Sequence, residues 1–570
     1  MISELPDSAK TFMDWPWSQI EPFYQALIDR PIKAADVEAW LADWTRLTDL
    51  VQETFTRLQI STAINTTDQE AERRYQAFLD EIYPASRQME QKLKEKLLSS
   101  GLEPGGFEIP LRNMQAEAIL FRQENLPLLS DEMKLSTEYD KIIGAQTVEW
   151  EGDDLTISQL STVYQDVDRQ RRERAWRLTL DRQLEDRQAL NDLWGRFLRL
   201  RTQIAANAEL PDFRDYMWRS LLRFDYTPED CELFHRAIEK VVVPAARQIY
   251  EKRRQRLGVD RLRPWDLNVD IAGRPPLRPF ESTEQLENRV EAIFQHVDPQ
   301  LGEYFKAMRK EQLLDLDNRK GKAPGGFCSE FNVQRRPFIF MNAVGVHDDV
   351  QTLLHEGGHA FHVFETSNLP YNQQLQVGME FAEVASMAME LLAAPYLGEE
   401  YGGFYTRQQA ARARIEHLEG SILFWPYMAV VDAFQHWVYL HPEDAKLPVN
   451  CDTTWSNLWD RFMQGVDWSD LEVEKATGWH RKLHIFQIPF YYVEYGLAQL
   501  GAMQVWRNAI SDQAQAVADY RKGLALGGTV PLPVLYATAG AKFAFDESTL
   551  GKAVDLGMET IARLEDIQEE

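Results

Sequence analysis

The stretch VQTLLHEGGHAFHVF, residues 350–364, says most about the fold and chemistry of this chain. It places His355 and His359 four residues apart, with Glu356 directly after the first histidine. On a helix, side chains at this spacing lie on one face, so both imidazoles can reach one small metal ion. Catalytic zinc binds about three protein ligands and keeps one position open. The stretch therefore predicts a zinc helix in which Glu356 is the general base.

The residues around the histidine pair indicate a buried helix. Most of them are apolar, and Asp348 and Asp349 stand where an N-cap or a first-turn acid belongs. Two histidines and a glutamate in such a helix need partners, and a metal ion supplies them. The alternative is a pair of core histidines that are satisfied by hydrogen bonds.

The third ligand is expected from a later helix. One class of zinc peptidases places a histidine ten residues after the first, but this chain has Glu365 there. GMEFAEVASMAMELL, residues 378–392, predicts an apolar helix with Glu383 and Glu390 on one face. Acids are costly to bury without partners, so Glu383 is the candidate ligand, and Glu390 could orient a ligating histidine. His362 is expected to be a core residue or to support a ligand.

A predicted strand precedes the zinc helix. RPFIFMNA, residues 336–343, is a short apolar run that could hold an extended peptide through main-chain hydrogen bonds. Its candidate substrate contacts are Phe338, Phe340 and Asn342. An ordinary buried strand explains the pattern equally well.

A second polar cluster lies near the C-terminus. WHRKLHIFQIPFYYVEYGLA, residues 479–498, contains His484, Tyr491, Tyr492 and Tyr495. Tyrosine hydroxyls and a histidine can donate hydrogen bonds to the oxyanion of a tetrahedral intermediate. The alternative is that these side chains are buried with one hydrogen bond each.

At this point the sequence resembles the zinc oligopeptidases of the thimet oligopeptidase and oligoendopeptidase F type, and most closely the bacterial oligoendopeptidase F branch. The matching segments are PFIFMN, DDVQTLLHEGGHAFH, EFAEVAS and HIFQIPFYYVEYGLAQLGA, which occur in the order of the family. The resemblance implies a mainly α fold of the gluzincin type, with a small β-sheet beside the HExxH helix. Two helical lobes are expected to flank a deep substrate channel.

The resemblance also implies a role for each candidate residue. One zinc ion per chain is held by His355, His359 and Glu383, with Glu356 as general base. The residues that contact substrate or stabilise the oxyanion are His484, Tyr492 and Tyr495, with Tyr491 as the other candidate.

Length and resemblance together suggest the domain organisation. The chain has 570 residues, which is too long for one compact core. We expect an N-terminal helical lobe at residues 1–180, with a β-hairpin near 147–157, and a zinc peptidase catalytic domain at 181–570. Long helices are predicted at Asp36–Ile60, Gln69–Leu98, Arg187–Asn207 and Thr227–Arg256, with kinks or breaks at Pro84 and Pro244.

Composition limits the partners. The formal net charge of −27 disfavours nucleic acid and anionic membrane surfaces, and no membrane-spanning segment or signal peptide is expected. The three cysteines are far apart, which indicates no disulfide framework and favours a reducing cytoplasm. The oligomeric state is not predicted.

These features favour a zinc-dependent endopeptidase that hydrolyses short unstructured oligopeptides. One alternative is a zinc carboxypeptidase that trims peptide C-termini, which needs a positive group that the sequence does not single out. The other is a non-enzymatic peptide-binding protein, against which the intact Glu356 argues.

Overall fold

The computed structural model describes residues 4–323 and 325–569, and these residues are mostly helical, as predicted. The N-terminal elements are α1 (Ala9–Phe12), α2 (Trp17–Asp29), α3 (Val37–Ile64), α4 (Gln69–Ala77), α5 (Tyr83–Ser100), α6 (Glu108–Leu120), α7 (Asn125–Gly144), β1 (Thr147–Trp150) and β2 (Asp153–Thr156). The next are α8 (Ile157–Leu160), α9 (Arg169–Glu185), α10 (Arg187–Asn207), α11 (Phe213–Ser220), α12 (Pro228–Ala237), α13 (Val243–Leu257), α14 (Thr283–Val297), α15 (Pro299–Lys310), β3 (Leu314–Asp317), β4 (Phe327–Phe331) and β5 (Arg336–Ala343). The last are α16 (His347–Thr366), α17 (Met379–Ala393), α18 (Arg407–Leu440), α19 (Pro442–Ala445), α20 (Pro448–Phe462), α21 (Glu472–Ala476), α22 (Leu483–Gln487), α23 (Tyr492–Ser511), α24 (Gln513–Leu524), α25 (Leu532–Thr538) and α26 (Glu547–Glu569).

The chain folds into two compact units, each built from three separate stretches. The first unit comprises Met1–Ile119, Arg278–Ala413 and Ala498–Phe543. The second comprises Leu120–Leu277, Arg414–Leu497 and Ala544–Glu570. The sequence predicted a boundary near residue 180, with one continuous stretch in each lobe. That boundary stays a prediction.

The first unit contains a three-stranded sheet in the order β3-β5-β4. The central strand β5 runs parallel to β3 and antiparallel to β4, with Cys328 opposite Ile339. Helix α16, which carries the histidine pair, packs against β5, β4 and α17. The predicted small sheet beside this helix is therefore confirmed.

A single π-helical turn lies at each of the two predicted proline breaks. Phe78–Ile82 is π-helical and is followed by Pro84, and Ile238–Val242 is π-helical and is followed by Pro244. Proline has no N–H to donate to the carbonyl four residues earlier, so the helical ladder is interrupted there. A π turn absorbs the mismatch, and the chain continues as a helix on the far side.

The second unit begins with helices and the predicted hairpin. Strands β1 and β2 pair antiparallel, and the turn residues Glu151 and Gly152 both have positive φ angles, which a tight two-residue hairpin turn requires. The hairpin is therefore confirmed. Across residues 4–323 and 325–569, no helix combines the length and hydropathy needed to cross a membrane.

Candidate active site

A carboxylate fixes the start of α16. The backbone N–H groups of Val344, Gly345 and Val346 all donate to Oδ2 of Asp349, at 2.8, 2.8 and 2.9 Å. These three residues precede the helix, so an acid in its first turn reaches back to the entering chain, where the helix dipole also favours a negative charge. Asp349 thus sets where the helix begins, and so the direction in which its histidines point.

The structure brings the three predicted metal ligands together. Nε2 of His355 lies 3.4 Å from Oε2 of Glu383, and Nε2 of His359 lies 3.7 Å from the same oxygen. Ligand atoms about 2.0–2.1 Å from a tetrahedral zinc ion are about 3.3 Å apart. Two imidazoles and one carboxylate at this spacing fit a single zinc ion.

Two hydrogen bonds orient these ligands. Nδ1–H of His355 donates to Oε1 of Glu390 at 2.7 Å, which directs Nε2 towards Glu383. Oγ of Ser386 donates to Oε2 of Glu383 at 2.8 Å. This contact agrees with the expectation that Glu390 orients a ligating histidine, because such outer partners fix a ligand's tautomer and ring direction. The ligand role of His355 stays a prediction.

The predicted base has a perturbed pKa. Burial raises the pKa of the Glu356 carboxyl to about 7, and the charges of Glu383 and Glu390 add to this while His355 opposes it. Burial would lower the pKa of His355, but Glu390, Glu383 and Glu356 raise it to about 9. Strong pKa shifts of several groups in one buried cluster are typical of functional sites.

The histidine pair depends on two glycines between its members. A Cβ on Gly358 would lie 2.3 Å from the carbonyl oxygen of Ala385 on α17. A Cβ on Gly357 would lie 2.5 Å from the ring of Phe294 on α14. The glycines therefore allow α16 and α17 to approach closely enough for Glu383 to meet both histidines.

The C-terminal cluster forms in the second unit. The ring of His484 lies 4.8 Å from that of Tyr492, 6.1 Å from that of Tyr495 and 6.2 Å from that of Tyr491. Burial and the charge of Lys482 lower the pKa of His484 to about 4, and burial raises the pKa of Tyr492 well above its usual range. The imidazole is therefore neutral and the phenol protonated at neutral pH.

A buried arginine holds the segment that carries His484. Nη1 of Arg201 donates to the carbonyl of Ile485 at 3.1 Å, and its Nη2 donates to the carbonyl of Phe486. The side chain of Arg201 is fully buried, and its Nε donates to Glu132 at 2.7 Å.

A second buried arginine holds the residues that lead into α23. Nη2 of Arg223 donates to the carbonyl of Phe490 at 2.5 Å and to Oε1 of Glu494 at 2.6 Å. The positive φ angle of Phe490, 67°, is unusual for an aromatic residue and shows how firmly this segment is held.

Comparison with known proteins agrees with this geometry. The sequence pattern described as Peptidase family M3 matches residues 162–553, which is more than half of the chain. The chain belongs to peptidase family M3. The pattern of the Peptidase M3 N-terminal domain also matches, at residues 11–105. The predicted resemblance to oligoendopeptidase F is confirmed by the relatives that follow.

Relatives of this M3 chain include two bacterial proteins. An oligoendopeptidase F homolog of Borreliella burgdorferi is 23% identical over 352 residues, which cover 58% of either chain. Oligopeptidase PepF of Bacillus subtilis is 25% identical over 246 residues, which cover 41% of this chain and 35% of the relative. The match thus spans little more than half of the first relative and about a third of the second.

Two solved structures match over nearly the whole chain. One, described as oligoendopeptidase F, has a TM-score of 0.87 at 27% identity and covers 99% of both chains. Pz peptidase A with an inhibitor has a TM-score of 0.87 at 26% identity and covers 100% of both chains.

Strand β5 does not fully fit the role that its sequence predicted in this M3 chain. It lies between β3, which pairs with Ile339, Phe340 and Ala343, and β4, which pairs with residues 336–340. This position leaves a peptide less free backbone than an edge strand would, and the predicted pairing stays a prediction. Phe340 is fully buried and stacks on Phe327 at 4.7 Å, so its predicted contact with substrate is wrong. Asn342 donates to the carbonyls of Ala323 and Gly325. Substrate contact by Phe338 and Asn342 stays a prediction.

Sequence reasoning missed several residues that support the site. Ser386 follows Glu383 by three residues, so helical spacing was a usable signal for it. Arg201 carried no such signal, because its carbonyl partners lie more than 280 positions away. His362 contacts Phe381 and was expected as a core or supporting residue.

Proposed function

We propose that the protein is a zinc-dependent endopeptidase that hydrolyses short unstructured oligopeptides. One observation carries the proposal: the two Nε2 atoms of His355 and His359 converge on Oε2 of Glu383, at 3.4 and 3.7 Å, in a chain of peptidase family M3. Glu356 lies on the same helix beside these ligands. A protein that only bound peptides would have no use for a base at that position.

In this proposal His355, His359 and Glu383 hold one zinc ion per chain. When bound, zinc supplies the Lewis acidity that activates a water and polarises the scissile carbonyl. Glu356 takes the proton of the attacking water and passes it to the leaving amine nitrogen. A carboxyl whose pKa lies near neutral is suited to both steps, because it can accept and release a proton at the working pH.

Strand β4 is our candidate for holding the peptide, in place of β5. It is an edge strand of the three-stranded sheet, and an extended peptide can add to such an edge through main-chain hydrogen bonds. The backbone of Cys328, in this strand, hydrogen-bonds to the carboxylate of Glu356. A peptide paired along β4 would therefore lie next to the base.

We further propose that His484, Tyr492 and Tyr495 donate hydrogen bonds to the oxyanion, with Tyr491 as the other candidate. Support comes from their mutual packing and from the raised pKa of Tyr492, since a protonated phenol is a donor. A cytoplasmic location is also part of the proposal, and its support is that Cys231, Cys328 and Cys451 form no disulfide with one another.

The test uses an unstructured peptide of about ten residues, a length we choose to suit an extended substrate on one strand edge. The full chain is incubated with it, with added zinc or with a chelator, and products are identified by mass spectrometry. We expect internal cleavage that the chelator abolishes. Products shortened one residue at a time from the C-terminus would indicate a carboxypeptidase, and an uncut peptide with zinc present would leave only peptide binding.

A further inference from the structure

A second cluster of metal-ligating side chains lies in the second unit. Helix α12 carries Cys231 and His235 four residues apart, and α18 carries Asp432 and His436 at the same spacing. Each pair therefore lies on one face of its helix, and the two faces meet. Facing helices with paired ligands are a common way to build a metal site inside a helical bundle.

The distances fit a single ion. One ligand atom from each of Cys231, Asp432 and His436 lies within 4.8 Å of the other two. Nε2 of His436 lies 3.3 Å from Oδ2 of Asp432, close to the spacing of about 3.3 Å expected between two ligands of a tetrahedral zinc ion. Nε2 of His235 is hydrogen-bonded to the same carboxylate at 2.8 Å.

The cluster is buried, and polar atoms of Asp432 and His436 within it lack partners. Cys231 and Asp432 are 0% exposed and His436 is 5% exposed. Among the residues that the structure describes, Oδ1 of Asp432 and Nδ1 of His436 have no hydrogen-bond partner, while Nε2 of His436 faces Oδ2 of Asp432 at 3.3 Å. The ring of His436 is surrounded by those of Trp218 and Phe490, at 5.7 and 5.3 Å. Buried polar atoms without partners are costly, and an ion that takes one oxygen of Asp432 and one nitrogen of His436 would satisfy one atom of each residue.

We propose that Cys231, Asp432 and His436 bind a second transition-metal ion, with His235 orienting the carboxylate of Asp432. A ligand set of thiolate, imidazole and carboxylate favours zinc or a similar divalent ion over magnesium or calcium. Because the site is buried and ties α12 to α18, it is a structural site. Its existence does not depend on the proposed peptidase function.

Metal counting tests this site directly. The full chain is stripped with a chelator, reloaded with excess zinc, freed of unbound metal and analysed for zinc per chain. We expect two ions in the natural chain, one in Cys231→Ser and one in His359→Ala. One ion in the natural chain with no loss in Cys231→Ser would overturn the proposal. An unchanged count in His359→Ala would instead contradict the first site and leave the second intact.

Cobalt gives a readout that only a cysteine ligand produces. The ligands of the first site contain no thiolate, so a thiolate-to-cobalt charge-transfer band in the near ultraviolet would report the second site. Cys328 needs a control, because its thiol lies near enough to Glu356 of the first site for that charge to raise its pKa. A cobalt ion in the first site could therefore meet a thiolate there. The band should survive in a Cys328→Ser, Cys451→Ser double variant, which retains Cys231 as its single cysteine. A band in this double variant assigns the thiolate ligand to Cys231 even if Cys231→Ser fails to fold. Absence of the band from the natural chain loaded with cobalt would refute the site.

Discussion

At the scale of single residues, Gly358 sets the distance between the zinc helix and the helix that supplies Glu383. A methyl group there would lie 2.3 Å from the carbonyl oxygen of Ala385 and 2.6 Å from Cα of Ser386. Both are backbone atoms, so a rotamer change in a side chain cannot relieve the clash. The two helices would have to move apart.

We therefore expect Gly358→Ala to lower the free energy of unfolding by roughly 1–3 kcal/mol or more and to weaken metal binding. Gly420→Ala is the matched control. Gly420 also lies in a helix, is exposed, and has no atom within 4 Å of an added Cβ, so alanine there should stabilise by about 0.5–1 kcal/mol. Urea unfolding and zinc titration measure both effects. Equal behaviour of the two variants would show that the helix contact does not limit the site.

The two carboxylates on α17 show what residue-level reasoning can recover. Helical spacing placed Glu383 and Glu390 on one face, and in the structure both carboxylates contact the imidazole of His355. The role of Gly358 could not be predicted in this way. A close approach depends on which backbone lies opposite, and the spacing within one helix carries no information about its neighbour.

At the scale of elements, buried arginines determine where the histidine-tyrosine segment lies. Arg201 on α10 joins the carbonyls of Ile485 and Phe486 to Glu132 on α7. A planar guanidinium is suited to this, because its five donors point in fixed directions. Removing it leaves several buried acceptors and one carboxylate without their partner.

Arg201→Met should therefore cost about 3–5 kcal/mol of stability and lower kcat, with the zinc content of the first site unchanged. Arg196→Met, on the same helix, removes an ion pair with Glu138 in which both side chains are 44% exposed. That control should cost at most about 1 kcal/mol and leave kcat as it is. Unfolding curves and peptide hydrolysis rates decide the matter. If Arg201→Met matched its control, the segment would be held by other contacts.

Elements were predicted best where their signal is local. The pattern of residues 336–343 gave β5 with its observed bounds, and that of Arg187–Asn207 gave α10 likewise. The position of β5 in the middle of its sheet was not predictable, because strand order depends on pairing with β3 and β4. The same limit explains why the predicted peptide contact was assigned to β5 rather than to the edge strand β4.

At the scale of the whole molecule, buried histidines make the fold sensitive to acid. His480 is 3% exposed, and burial together with the charges of Arg481 and Arg187 lowers its pKa to about 3. In the unfolded chain a histidine binds its proton near pH 6.5. Below that pH the unfolded state gains a proton that the folded state does not, so stability falls as the pH drops from about 6.5 towards 3.

Replacing His480 with glutamine should remove part of this dependence. Between about pH 7 and about pH 5, the natural chain should lose roughly 1–2 kcal/mol more than His480→Gln. Unfolding in urea at the two pH values measures the difference. His441→Gln, which alters an exposed histidine, is the control. A loss of stability in His480→Gln as large as that of the natural chain would contradict the assignment.

The organisation into two units lay beyond sequence reasoning. Each unit is assembled from three stretches, which join residues hundreds of positions apart. No composition change or linker marks these crossings, whereas the resemblance to oligoendopeptidase F suggested one continuous catalytic part. Only the contacts themselves reveal which stretches belong together.

Glu356 is the proposed base of a metal peptidase, and Glu356→Gln tests that role directly. Glutamine keeps the shape of the side chain but cannot accept the proton, so we expect the variant to bind zinc as the natural chain does and to hydrolyse peptide about 10²–10⁴-fold more slowly. Zinc content and the rate of peptide cleavage are measured on the same preparation. Turnover at the natural rate with zinc bound would contradict the central claim.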